Sequence, residues 1–443
     1  MPLKKVVLKP GINRDQTNYA GEGGWYAGDK VRFFSGFPQK IGGWIRYSSN
    51  TFAGACRSLF NWSSTASTTV GNYLALGTSD RVYVEYATTI NNITPLRSGT
   101  PSLAVTNFTT VSGSSIITVT FGSAHGAAVN NYVCFTGLPT YDGILNTTLN
   151  SNNGFKILSV ASTTLTVDTG TLAGVGGTSG SGGTAYFEID VGAAINASGY
   201  GWGSPDWGGV TSGTGWGTPT STPIYVPLQL VYFDKYVDDL FFNVRFGQIY
   251  YWNLTNSIST STRAILLSTN PPPASLTYLG TASDIPTKVT QVLFDNNANI
   301  LMAFGAVPYY DTPPVPEFDP LLIRWASQAN FRNWTPSDDP GISTAGYLRI
   351  QSGSQILRAF SNYGEIVVFT ESSVTSVQYT ATFPLLFSQK LISSDVTLIG
   401  PNAITAVNNV IYWMGHDKFF IYNGRADSLP TTLRAEVFEN INY

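Results

Sequence analysis

His125 and His416 are the only imidazoles in the chain, so any Ser/His/Asp triad or histidine-held metal would have to use them. Each sits in a turn, Ala124-His125-Gly126 and Gly415-His416-Asp417. Neither belongs to an H-x-E or H-E-x-x-H motif, so neither points to zinc or acyl-transfer chemistry. Paired acids would be the other route, to glycoside hydrolysis. Asp238 and Asp239 are adjacent and would point to opposite faces of a strand. Glu365 and Glu371 share a face but stand roughly 20 Å apart on extended chain, beyond the ~5–9.5 Å that a hydrolase pair spans. Acids from separate elements could still converge, which keeps a propeller glycoside hydrolase as a third reading. Asp295-Asn296-Asn297-Ala298-Asn299-Ile300 begins like a calcium loop but has Ile300 at the sixth place and Ala306 at the twelfth, where Gly and Glu are needed. Ser337-Asp338-Asp339-Pro340-Gly341-Ile342-Ser343 resembles a single Asp-box with Thr344 where the closing aromatic belongs. Both read as turns. The Gly-rich stretches lack a terminal Gly-Lys-Ser/Thr and are not phosphate loops. Cys56 and Cys134 form no CxxC motif and read as two buried thiols. No catalytic residue, cofactor site or metal site is expected, and the chain reads as a non-enzyme.

The elements that carry these residues are strands. Runs of four to eight β-branched or aromatic residues alternate with short polar turns, and amphipathic helical periodicity is nearly absent. A strand–turn–strand unit recurs at 73–86, 240–252, 366–379 and 411–422, and Leu301–Phe304 looks like half of another copy whose second half is displaced by the loop 308–320. Such a repeat every ~40–65 residues predicts propeller blades, which must stack because one hairpin cannot stand alone. A β-sandwich with long loops is the competing arrangement. Residues 103–191 predict an inserted small β-barrel of about five strands, and residues 192–222 a Gly/Trp-rich loop. The fold class is therefore all-β, a β-propeller-like body with an inserted barrel: an N-terminal β segment and first blade over 1–102, and the remaining blades over 223–443.

Composition points to a covered surface. Charged residues make up 12% and aromatics 13% of the 443 residues, and interface cores lose charge and gain aromatics. The net charge of −3 and the lack of a basic stripe argue against tight nucleic-acid binding. A weakly acidic wall would instead let DNA slide past. No apolar run reaches the ~18 residues of a membrane helix, and Val6-Val7-Leu8 is too short for a secretory signal core, so the reading expects assembly in a cytoplasm without a membrane span.

The first sixty residues carry a distinctive constellation: Leu8-Lys9-Pro10-Gly11-Ile12-Asn13, Glu22-Gly23-Gly24-Trp25-Tyr26, Asp29-Lys30-Val31-Arg32-Phe33, Pro38-Gln39-Lys40-Ile41-Gly42-Gly43-Trp44 and Cys56-Arg57-Ser58-Leu59-Phe60-Asn61-Trp62. It resembles the opening of tail stabilisation, hub or nozzle proteins of short-tailed bacteriophages. The Gly/Trp run at 199–217, Ile323-Arg324-Trp325-Ala326-Ser327 with Asn333-Trp334-Thr335-Pro336, and Trp413 to Gly424 with Leu429-Pro430 also resemble them. The resemblance covers most of the chain outside 103–191. It implies a virion protein forming a homohexameric ring below portal and adaptor proteins, with tail fibre or needle proteins as further partners. Genomic DNA would pass through the lumen without sequence-specific binding. Related proteins continue past the residues matching Arg434–Tyr443, which leaves the blade number open. The candidate interface residues are Trp25, Tyr26, Arg32, Trp44, Trp202, Trp207 and Trp216. The last three also suit stacking on sugar rings, so a receptor- or glycan-binding tail protein is the second reading.

Overall fold

Short β-branched and aromatic runs bounded by Gly, Asn and Ser turns fold almost wholly into antiparallel strands. The computed structural model describes residues 8–15, 17, 19–64, 70–178, 180–191, 229–254, 263–269, 281–310 and 316–441. Strands β1 (Val31–Phe34) and β2 (Phe37–Lys40) form a hairpin by themselves. β3 (Cys56–Ser64), β4 (Gly71–Thr78), β5 (Val82–Tyr86) and β6 (Thr89–Asn92) make a four-stranded sheet in that order. Next come β7 (Ser102–Thr110), β8 (Ile116–Phe121), β9 (Tyr132–Thr136), the one-turn α1 (Asn146–Leu149), β10 (Phe155–Val160), β11 (Thr164–Asp168), β12 (Gly177–Thr178) and β13 (Thr184–Phe187). These strands form a sheet ordered β12-β7-β13-β9-β10-β11-β8, closed into a barrel because β7 also pairs with β8.

Four more four-stranded sheets follow, again in chain order. They are β14 (Val231–Tyr236), β15 (Asp239–Val244), β16 (Ile249–Trp252) and β17 (Ile265–Leu266); then β18 (Val289–Asp295), β19 (Ile300–Ala306), β20 (Asp319–Trp325) and β21 (Gly346–Arg349). The last two are β22 (Ile356–Asn362), β23 (Glu365–Thr370), β24 (Val374–Tyr379) and β25 (Phe387–Ser393); then β26 (Ile404–Val407), β27 (Val410–Met414), β28 (Phe419–Tyr422) and β29 (Ala426–Ser428). A helix, α2 (Arg434–Asn440), ends the described chain. Each of the five sheets is the up-and-down meander of a propeller blade. The fold is all-β and propeller-like with an inserted barrel, and no helix of the described residues is long and apolar enough to cross a membrane. The half-unit at Leu301–Phe304 is β19, and its partner β20 resumes beyond the loop.

The chain divides into two compact units: Asn50–Leu276 with Thr287–Val292, and Met1–Ser49 with Thr277–Pro286 and Leu293–Tyr443. In the first, Tyr73, Ala75 and Val84 of one sheet share a core with Leu240, Phe242 and Trp252 of another. In the second, Met302, Phe304 and Ile323 pack with Ala359, Val368 and Val377, and Val367 and Phe369 pack with Ile411, Trp413 and Phe420. The middle strands are covered on both faces, so β15 and β19 are buried almost throughout. Each such side chain contributes about 1.5–3 kcal/mol relative to exposure. The barrel alternates cleanly: Ile117, Val119 and Phe121 of β8 and Leu165 and Val167 of β11 point inward.

Two blades share one turn, between their second and third strands. The Thr78 hydroxyl donates to Arg81 O at 2.9 Å and accepts the Arg81 N–H at 2.9 Å. Thr370 does the same with Ser373, at 3.3 and 2.9 Å. A left-handed glycine packs on each threonine, Gly54 (φ 85°) and Gly353 (φ 96°). A Cβ on either would meet that hydroxyl, and L side chains avoid this conformation. Both first strands then carry a bulge, at Cys56/Ser58 and at Ile356/Arg358. The motif residues Arg324, Trp325 and Trp334 are interior parts. Arg324 donates to the carbonyls of Val307 and Trp334 and to that of Asp284, and Trp325 Nε1 donates to Thr344 O at 3.0 Å. Burial lowers the Arg324 guanidinium to about 10. The expectation of two buried thiols holds for Cys134 only; Cys56 opens β3 at the bulge and is exposed.

Candidate assembly surface

Most of the groups whose types suit chemistry are bonded to local partners. His125 is buried in the barrel, stacked on Phe187 at 5.9 Å. Its Nδ1 accepts the Ala127 N–H at 3.0 Å, so Nε2 carries the hydrogen and donates to Thr164 O at 3.1 Å. His416 is exposed and belongs to the second unit. Asp239 accepts from the Leu254 N–H at 3.0 Å and from Tyr251 and Asn253, while burial pushes its carboxyl up. Asp238 lies in the turn before it, not in a strand. Glu365 and Glu371 stand at opposite ends of β23. Glu365 accepts from Tyr422 at 2.7 Å and from Ser376, and Glu371 accepts the N–H groups of Ser354 and Gln355. Asp295 caps its own turn through Asn297 N–H at 3.0 Å, and Asp339 does likewise through Gly341 N–H at 2.8 Å. Among the described residues no group of three or more His, Cys, Asp or Glu stands close enough to hold a metal. Two cavities, of about 600 and 460 Å³, have no carboxylate in their walls.

A buried charge cluster in the first unit joins barrel to blade. Glu188, just after β13, is met by Arg81 Nε at 2.7 Å from the β4–β5 turn and by Arg263 Nη1 at 2.6 Å from the approach to β17. Asn92 Nδ2 donates at 2.9 Å, and Arg81 also donates to Asn153 O. Burial alone would raise the Glu188 carboxyl, but Arg81 and Arg263 outweigh it and hold it below the usual carboxylate range. Cys134 beside it is pushed up to about 12 by burial and by the Glu188 charge, so the thiol stays protonated and unreactive. The cluster fixes how the barrel is carried, and a buried carboxylate needs such partners.

The other unusual surface is apolar. Phe34-Ser35-Gly36-Phe37 makes a two-residue turn with both central residues left-handed (φ 50° and 83°), the twist that closes a hairpin. No other strand of the described chain pairs with β1 or β2. Its root is held: Arg14 N–H donates to Thr432 O at 3.0 Å, Ala435 N–H to Asp15 Oδ1 at 3.1 Å, and Arg14 pairs with Glu436 at 3.2 Å. Beyond the root, Tyr19, Phe34, Phe37, Ile41 and Tyr47 are exposed, and Trp44 and Ile45 reach 104% and 94% of full exposure. Of the candidate interface residues, Trp25 is half-buried against Phe33 with centroids 6.1 Å apart. Tyr26 is exposed beneath the Arg14 guanidinium at 4.9 Å, and Arg32 is exposed with its Nη2 donating to Gln39 at 3.3 Å. These three and Trp44 therefore belong to one arm. Trp202, Trp207 and Trp216 lie outside the described residues. Sequence reasoning did not find Arg81, Glu188 and Arg263; three charges in a charge-poor chain were the available signal.

No family model matches the chain, and no curated protein matches it. Among solved structures, the phage phi92 endosialidase is similar at TM-score 0.26 and 11% identity, covering 80% of this chain and 52% of that one. The extracellular domain of a one-component system from B. thetaiotaomicron is similar at TM-score 0.27 and 11% identity, covering 91% and 58%. PorZ, a surface component of the type-IX secretion system of Porphyromonas gingivalis, is similar at TM-score 0.24 and 11% identity, covering 83% and 58%. The chain thus spans little more than half of each of these structures, and at such TM-scores the likeness assigns no function.

Proposed function

We propose that this chain is a structural subunit of a bacteriophage tail: copies form a ring below the portal and adaptor of a short-tailed phage, around a channel for the ejected genome. The observation that carries this reading is the aromatic arm. An isolated two-stranded hairpin is marginal in water, and this one exposes Phe34, Phe37 and Trp44 with no neighbouring strand among the described residues. At roughly 200 Å² per ring, Tyr19, Phe34, Phe37, Trp44 and Tyr47 present on the order of 800 Å². That is one partner's share of a standard interface. Such a surface gains stability by burial in an assembly. The local bonding of Asp239, Glu365 and Glu371 fits a structural role. Electron microscopy of the purified chain tests this: rings with an axial channel are expected, and dispersed single particles at micromolar concentration would overturn it.

A receptor- or glycan-binding role is the second reading. Its support is the cavity of about 600 Å³, walled by Phe52, Tyr83, Tyr132, Asn50 and Asn153, since rings and amides suit a sugar. Glycan-array binding by a chain that stays monomeric, lost in Phe52→Ala, would favour it.

A further inference from the structure

The arm is not the only bare apolar surface. At one end of the barrel three loops meet, joined by backbone bonds from Gly113 N–H to Ala173 O at 2.8 Å, Ala173 N–H to Ser114 O at 2.9 Å and Gly174 N–H to Asp142 O at 2.7 Å. They carry Val111, Leu145, Leu172 and Val175 at 62%, 57%, 65% and 65% exposure, with Ile116 beside them. Most other residues of these loops are Ser, Gly and Thr, so the exposed aliphatic groups stand out as a crown. Their charges are Asp142 and Asp168 alone, a net −2 over 111–116, 142–145 and 168–176. The arm, over 19–47, carries Lys30, Arg32, Lys40 and Arg46 against Glu22 and Asp29, a net +2.

Resting on the ring reading above, we propose that the arm of one copy docks on the barrel crown of the next, a head-to-tail contact between two different surfaces of the same chain. Three observations select a second copy as the occupant. The arm is large enough for such a contact, offering about one partner's share of a standard interface. The charges are opposite and equal, which orients the encounter. And a single heterologous contact covers both bare surfaces at once, repeating until a ring closes. A separate partner on the arm would leave the crown in water. The crown has no Trp, Tyr, Lys or Arg to anchor it at a lipid headgroup, which disfavours a membrane as its cover.

A mixing experiment tests the contact. Trp44→Asp with Ile45→Asp spoils the arm and spares the crown, and Leu172→Asp with Val175→Asp does the reverse. All four positions are exposed, so circular dichroism and thermal melts should match the parent chain. By native mass spectrometry each variant alone is expected to be monomeric. Their equimolar mixture is expected to give a heterodimer, since one good arm meets one good crown. A mixture that stays monomeric, or a crown variant that assembles like the parent, overturns the proposal. Should a variant fold poorly, a Trp44→Cys, Leu172→Cys double variant on a Cys56→Ser background replaces it. Oxidation should then give a ladder of linked copies absent from either single variant; rings without a ladder would mean that the arm docks elsewhere. A parent chain that is itself monomeric would defeat the ring reading, which is a separate outcome.

Discussion

Two hairpins of this molecule use the same residues to opposite ends. In β15–β16, Phe241, Phe242, Tyr250, Tyr251 and Trp252 are buried, because each side of the pair is met by another sheet or loop. In β1–β2 and the residues after it, Phe34, Phe37 and Trp44 face solvent. Aromatic content sets how much apolar surface there is to hide. Whether it hides inside one chain depends on a meander of four strands forming around it, and the arm has only two. A propeller blade finishes its burial within the chain. The arm does not, and in the proposed ring an assembly would complete it.

The contrast can be broken or sharpened by substitution, beginning where the effect is largest. Phe242→Ala should lower unfolding free energy by about 3–5 kcal/mol, a buried ring lost with a cavity left behind; a loss below about 1 kcal/mol in denaturant titration would mean the blade core is not load-sharing as described. Glu188→Gln should cost about 3 kcal/mol, because two arginines are left facing a neutral amide. The pH dependence has a definite sign. Arg81 and Arg263 depress the folded-state Glu188 carboxyl, so its contribution is complete above the ordinary carboxylate value near ~4.3 and fades as pH falls through the depressed one. Acid melts of the parent should show this loss, and Glu188→Gln should lack it. Thr370→Val should cost about 1–3 kcal/mol by leaving the buried Ser373 N–H without its acceptor. Phe37→Ala should change monomer stability by less than about 0.5 kcal/mol while weakening assembly, measured by light scattering. An arm substitution as costly to the monomer as Phe242→Ala would erase the distinction between the two hairpins.

Much of the body was legible because its middle strands are covered on both faces and read as unbroken apolar runs: Leu240–Phe242 within β15, Ile366–Phe369 within β23, Ile411–Met414 within β27. The outer strands were not. β6 is Thr-Ile-Asn-Asn and β29 is Ala-Asp-Ser, strands that pair on one side and carry little apolar signal. β7 escaped too, because a bulge between Val105 and Asn107 breaks its alternation. The arm residues Trp25, Tyr26, Arg32 and Trp44 came from a resemblance, and only coordinates distinguish the half-buried Trp25 from the bare Trp44. The crown could not be read at all, since Val111, Leu145, Leu172 and Val175 lie on three separate loops until barrel closure gathers them. The same is true of Glu188, whose partners Arg81 and Arg263 are 107 and 75 residues away in sequence.

The most direct test is the mass of the full chain in solution beside one lacking residues 1–49. The account expects a closed oligomer, six copies in the phage-tail reading, that becomes a folded monomer when the arm is removed. An oligomer of unchanged size without the arm, or a monomer with it, would contradict the claim that this chain completes its burial through its neighbours.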